Sequence, residues 1–186
     1  MKEKLKKMLD SRRFEHSIGV ADEAVKLAGI YGVNEEKAYI AGLLHDCAKG
    51  YTINEQLNLC EKFNIELDEI TRMCPAVIHA PLGAEIAKAE FGTDDEEVLD
   101  AIRFHTVGGT DMTELMKIIY IADMTEPMRD FEGVEEIRKI SYQNLHEAML
   151  CALSKSMDFN LKKKRVIHPD TLRAWNDCLL HINTGK

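Results

Sequence analysis

His16, His45, Asp46, His79, His105 and Asp123 are imidazoles and carboxylates of the kind that hold a divalent cation. All but two of them fall on an apolar helical stripe. His16 is in register with Val20, Ala24 and Leu27, and His45 with Ala38, Ala41 and Leu44. His105 follows Val98, Ala101 and Ile102, and Asp123 follows Met116, Ile119 and Tyr120. Spacings of three, four and seven put such residues on the inward face of a helix. His79 ends the apolar stretch PAVIH just before a helix, and Asp46 sits three after Leu43 and four after Gly42. One inward histidine is ordinarily a hydrogen-bonded core residue. An inward carboxylate is rarer, because an unpaired buried charge is costly. Four histidines and two aspartates aimed inward from five segments are explained together by a shared cation.

The donor set narrows the metal. Mixed imidazole and carboxylate suits iron, manganese, zinc or nickel. No cysteine completes a structural zinc site. Cys47, next to Asp46, is expected to be a small core residue rather than a ligand. Six ligands exceed what one metal with an open position needs, and two ions bridged by Asp46 would use them all. Paired metals are a recurring solution for hydrolysing phosphate esters and anhydrides.

The elements that position these residues are helices. Apolar spacing predicts helices over 12–31, 35–48, 52–63, 66–73, 81–91, 95–105, 113–125, 134–140, 142–163 and 169–182. Thr52-Ile53-Asn54-Glu55 reads as a capping box. Gly32 and Gly92 end helices, and Pro81 and Pro169 open them. No strand pattern, internal repeat or linker is present. The expectation is an all-α fold, a single compact helical domain over 1–186.

The bulk numbers agree. A chain of 186 residues suits one domain. No apolar run approaches the roughly 20 residues that cross a bilayer, and no secretory signal opens the chain. Five cysteines, an odd number without C-x-x-C spacing, fit reduced thiols in the cytoplasm. The net charge of −8 argues against a general nucleic-acid binder, and the missing apolar run leaves no membrane partner expected. An acidic protein that handles a polyanion must gather its positive charge in one place.

The order His16, His45-Asp46, His79, His105, Asp123 resembles the HD-domain phosphohydrolase superfamily. The segments HDCAKGYT (45–52), RFHTVG (103–108), YIADMTEPMRDF (120–131) and RVIHPDTL (165–172) resemble the bacterial YqeK family more closely, over about 12–175. That resemblance implies a symmetrical diadenosine tetraphosphate hydrolase that binds iron, as one or two ions. His16, His45, Asp46 and Asp123 match the principal metal set. His79 and His105 match positions that complete a second site or touch phosphates. Lys49, Gly50, Tyr51 and Thr52 match a nucleotide-contacting segment, and Thr106 joins His105 in its role. Arg129 matches a phosphate-binding arginine. Val166, Ile167, His168, Pro169, Asp170 and Thr171 match the loop that holds the nucleoside. Asp46, Lys49, His79, His105 and Arg129 are the implied catalytic groups. The implied partners are a dinucleoside polyphosphate and its ADP product, and the resemblance leaves room for a homodimer.

Several residues have plainer readings. Lys49 just past a helix end would stabilise the helix dipole. Arg129 would pair with Glu126 or Asp130, and Arg103 would make a structural salt bridge. The run Lys162 to Arg165 would be a solvated helix end. His168 either caps a helix or contacts a nucleotide. His146 and His181 match nothing, and Trp175, Phe159 and Tyr142 are expected in the core. Two other functions compete: hydrolysis of another nucleotide, and nucleotide sensing without catalysis. The absence of a GYP signature and of an acidic pair after the second motif disfavours the first. The complete ligand set disfavours the second.

Overall fold

In the computed structural model, which describes residues 1–184, the longest helix is α2, Ser11–Tyr31. Asp10 caps its start by accepting a hydrogen bond from the Arg13 amide, and Gly32, in the left-handed conformation, ends it. Its inner face buries Ser17, Val20, Ala21, Ala24, Leu27 and Ala28. These residues meet α3, Glu35–Leu44, and α8, Glu114–Thr125. Small residues let the backbones close in. A Cβ on Gly42 would come within 2.8 Å of the Ala21 Cα, so only glycine permits this approach of α3 to α2.

The remaining helices complete the fold. Helix α6, His79–Phe91, packs on α7, Glu96–Phe104, and α7 packs on α3 and α8. Helices α9 (Val134–Ser141), α10 (Leu145–Lys162) and α11 (Pro169–Thr184) form a C-terminal group in which α10 touches α8, α9 and α11. Two short helices, α4 (Ile53–Lys62) and α5 (Glu69–Met73), link the doublet segment to α6. The core is one continuous apolar cluster from Leu5 to Cys178. No strand occurs among the described residues, as an all-α fold requires.

Several boundaries differ from expectation. Helix α1, Lys2–Met8, was not expected; it is anchored by buried Leu5 and by Lys4, whose ammonium reaches Glu90. Helix α3 stops at Leu44, and a 3-10 turn occupies Cys47–Gly50. Helix α6 begins at His79, two residues before Pro81, because amides in a first turn need no partner within the helix. Helix α10 begins at Leu145, where Asn144 accepts from the His146 and Glu147 amides. Tyr142 and Phe159 are not core residues: they are 42% and 49% exposed. Trp175 is half-buried and donates to the Ser154 hydroxyl.

Candidate metal centre

The break between α3 and the 3-10 turn explains the His45-Asp46 doublet. Adjacent side chains in an unbroken helix diverge by about 100°. Asp46 leaves the helix at φ −105, ψ 13, and both its carboxylate and the His45 ring face one pocket. His105 occupies the matching place at the end of α7, and His79 opens α6. His16 comes from α2 and Asp123 from α8.

Four histidine rings are held in defined orientations. His45, His79 and His105 each place Nδ1 2.7 Å from the carbonyl three residues earlier, on Gly42, Ala76 and Ile102. A carbonyl only accepts, so Nδ1 carries the proton and the Nε2 lone pair faces the pocket. His16 uses a carboxylate instead: its Nδ1 lies 2.9 Å from Glu126 Oε1, while Glu126 Oε2 accepts from the Met128 amide at 2.7 Å. Glu126 is buried, and a Cβ on Gly19 would collide with it. From the sequence, Glu126 is expected only as a partner for Arg129. No periodicity links positions 110 apart, so its contact with His16 was invisible there.

The six residues converge. His16 Nε2 is 2.9 Å from Asp123 Oδ1, and His45 Nε2 is 3.7 Å from the same oxygen. Asp46 faces two ways. Its Oδ2 is 3.4 Å from His45 Nε2, and its Oδ1 is 3.3 and 3.5 Å from the Nε2 atoms of His79 and His105. Two overlapping triads, His16–His45–Asp123 and His45–Asp46–His105, each hold their ligand atoms within 4.8 Å of one another. His45 Nε2 is buried and makes no hydrogen bond, and buried Asp46 Oδ1 has only the Lys49 ammonium, 2.9 Å away, as a donor. The Nε2 atoms of His79 and His105 approach to 3.1 Å with both protons on the far nitrogens. A buried acceptor without a donor, and lone pairs facing each other, fit a bound cation. The charge states fit as well. Burial raises the Asp46 and Asp123 carboxyls, but neighbouring imidazoles, and Arg129 beside Asp123, hold both well below the usual range. Burial pulls His79 down to about 4 and lowers His105, so both rings are neutral donors near pH 7. Burial also opposes a charged His45, but Asp46 and Asp123 outweigh it and raise its pKa.

Two cations flank the cluster. Lys49 Nζ lies 2.9 Å from Asp46 Oδ1, so its partner is a carboxylate rather than a helix dipole. Arg129 binds Asp123, not Glu126 or Asp130: Nε donates to the Asp123 carbonyl at 2.6 Å and Nη2 to its carboxylate. Arg129 Nη1 has no hydrogen bond among the described residues. Arg138 fixes this loop by donating to the Glu126 and Arg129 carbonyls. Arg103 makes the expected structural bridges, to Glu85 and Asp100. Thr106 Oγ1 sits 3.1 and 3.0 Å from the Nε2 atoms of His79 and His105.

Other expected site residues lie elsewhere. Gly50, Tyr51 and Thr52 line neither cavity that borders the cluster. A Cβ on Gly50 would strike the Met8 carbonyl, so glycine here serves the packing of α1. The Tyr51 carbonyl accepts from Gln56, and Thr52 forms the expected capping box with Glu55. In the 166–171 loop, Val166, His168 and Thr171 line an outer cavity of about 660 Å³. Ile167, Pro169 and Asp170 do not line it, and Asp170 pairs with Arg173. His168 caps α11 by accepting from the Asp170 amide and ties the loop to Thr71. Lys164 and Arg165 border the same cavity, so this end of the lysine run is not merely solvated. All five cysteines are free thiols, and Cys47 donates to the Gly83 carbonyl. His146 and His181 stack on each other, away from the cluster.

A family model described as HD domain matches residues 13–128. The chain is 40% identical to the symmetrical bis(5'-nucleosyl)-tetraphosphatase of Halalkalibacterium halodurans, covering 95% of this chain and 94% of that one. It is 37% identical to the protein of the same name in Bacillus subtilis, covering 92% of each. A solved structure from Clostridium acetobutylicum superposes with a TM-score of 0.94 and 40% identity, over 97% of this chain and 95% of that chain. That structure is described as a predicted HD superfamily hydrolase involved in NAD metabolism.

Proposed function

This chain belongs to the HD-domain family, and from that premise we propose that it hydrolyses dinucleoside tetraphosphates symmetrically, turning diadenosine tetraphosphate and water into two ADP. The observation that carries the reading is the convergence of four imidazole Nε2 atoms on Asp46 and Asp123, with buried His45 Nε2 lacking any donor, beside two cations in an open groove. His16, His45, Asp46, His79, His105 and Asp123 would hold the metal, with iron the ion that the family resemblance implies. A metal in this place supplies Lewis-acid charge to phosphoryl oxygens and lowers the pKa of water.

The protein's own residues do the rest. Hydrolysis forms one P–O bond to water at an inner phosphorus and breaks the bridging P–O bond, leaving a nucleoside diphosphate on each side. Negative charge builds on the phosphoryl oxygens, and fixed cations stabilise it. Lys49 brings a point charge to the pocket's edge. Arg129, anchored through Nε and Nη2, presents Nη1 to phosphate. The carbonyl and carboxylate partners of the histidines hold the ligand shell so that it does not rearrange during turnover. The outer cavity by Val77, Val107 and Val166 offers an apolar wall for a base. We read the chain as one domain working in the cytoplasm, in line with its five free thiols.

Arg129→Ala tests the phosphate assignment. Steady-state kinetics should show kcat/KM reduced by roughly tenfold or more, as loss of a charge-assisted hydrogen bond implies, with metal content retained. Unchanged kinetics would take Arg129 out of the site.

A further inference from the structure

Three cavities adjoin one another across shared walls, in a row along one face. The cavity of about 450 Å³ against His16 and Asp46 shares Lys49 and Arg129 with one of about 240 Å³ against His105 and Asp123. The second shares Thr106 and Ser156 with the outer cavity of about 660 Å³. The metal cluster therefore lies under the middle of a groove rather than at a closed end. The two ends differ. One has the apolar wall of Val77, Val107 and Val166. The other is lined by Arg12, Arg13 and Met128, with Asp10 at its edge.

A mononucleotide seated on the apolar wall, with its phosphates at the cluster, would leave the arginine end unfilled. Its two arginines are not equivalent. Arg13 is committed to Asp10, Nη1 to Oδ2 at 2.7 Å, and that pair also neutralises the one acidic group on this wall outside the cluster and its partner Glu126. Arg12, exposed on the first turn of α2, pairs with no carboxylate among the described residues. In a chain with 32 acidic and 24 basic side chains, an arginine left without a carboxylate on a cavity wall is a free anion-binding group. A guanidinium can fork onto phosphate oxygens or lie flat on a base. Met128, 47% exposed beside it, adds an adaptable apolar surface.

Resting on the hydrolase reading above, we infer that Arg12 and this end of the groove hold the second nucleotide half of the substrate, so that the enzyme selects molecules with a nucleotide on both sides of the cleaved bond. Arg12 is a specificity residue in this assignment. It binds the departing half and takes no part in the first half's site.

The test compares the unmodified chain, Arg12→Ala and Arg12→Lys, with diadenosine tetraphosphate as substrate and ADP as inhibitor. Hydrolysis by the unmodified chain is measured first; if there is none, the activity itself is overturned and this assignment with it. With activity present, Arg12→Ala should lower kcat/KM about tenfold, chiefly through KM, and leave inhibition by ADP within about twofold. Arg12→Lys should recover part of the loss by keeping the charge. An unchanged kcat/KM for Arg12→Ala overturns the assignment while the hydrolase reading stands. Equal weakening of substrate and ADP overturns it too, because Arg12 would then serve the first half's site.

Discussion

Asp46→Ala is expected to remove bound metal and hydrolysis together. The carboxylate is the only one in the cluster whose two oxygens face different imidazole sets, His79 and His105 on one side and His45 on the other. Without it, the four inward Nε2 atoms surround a buried space with Asp123 as the remaining negative charge. Loss of an outer hydrogen-bond partner already weakens a metal site by roughly 10–100-fold, so removal of the shared ligand should exceed that range. Lys49 would also be left beside the pocket without its partner, which adds repulsion toward any cation that enters. Metal analysis of the purified variant, alongside turnover of diadenosine tetraphosphate, checks this. Full activity in a protein that carries no metal would end the metal reading.

Glu126→Ala should be the next most damaging change, although Glu126 lies outside the ligand set. Its carboxylate holds the His16 ring through Nδ1 and the following loop through the Met128 amide. Truncation frees the ring to rotate and leaves a cavity next to Gly19. Metal affinity should fall by up to roughly 100-fold, the upper end for an outer-shell carboxylate. Glu126→Gln keeps an acceptor for Nδ1 but turns its NH2 toward the Met128 amide, so it should recover only part of the loss. Competition with a chelator measures the affinity. A Gln variant that binds metal as tightly as the unmodified chain would show that neither the charge nor the second acceptor matters, and unchanged affinity in the Ala variant would take Glu126 out of the support of His16.

What could be read from the sequence was whatever is local. Thr52-x-x-Glu55 forms the capping box that its spacing announces, and Gly32 and Gly92 end helices in the left-handed conformation. The six inward polar residues were legible because buried charge is costly wherever it falls on an apolar stripe. What escaped depends on distant contacts or on competition between local signals. Helix α1 has one buried anchor, Leu5, too little for a periodic pattern. The 35–48 helix breaks at His45 because the chain must turn two adjacent side chains into one pocket, which an unbroken helix cannot do. Phe159 was expected in the core because it is aromatic, yet it stands half-exposed on the cavity wall with the Arg165 guanidinium 5.4 Å from its ring. Glu126, Arg12 and the true partner of Arg129 are products of tertiary structure alone.

The expected reaction is the cut of a dinucleoside tetraphosphate at its middle by this cluster. Its most direct test is to incubate the protein carrying its native metal with diadenosine tetraphosphate and resolve the products by ion-exchange chromatography. ADP as the sole product is the predicted result. AMP together with ATP, or an untouched substrate with metal bound, would contradict it.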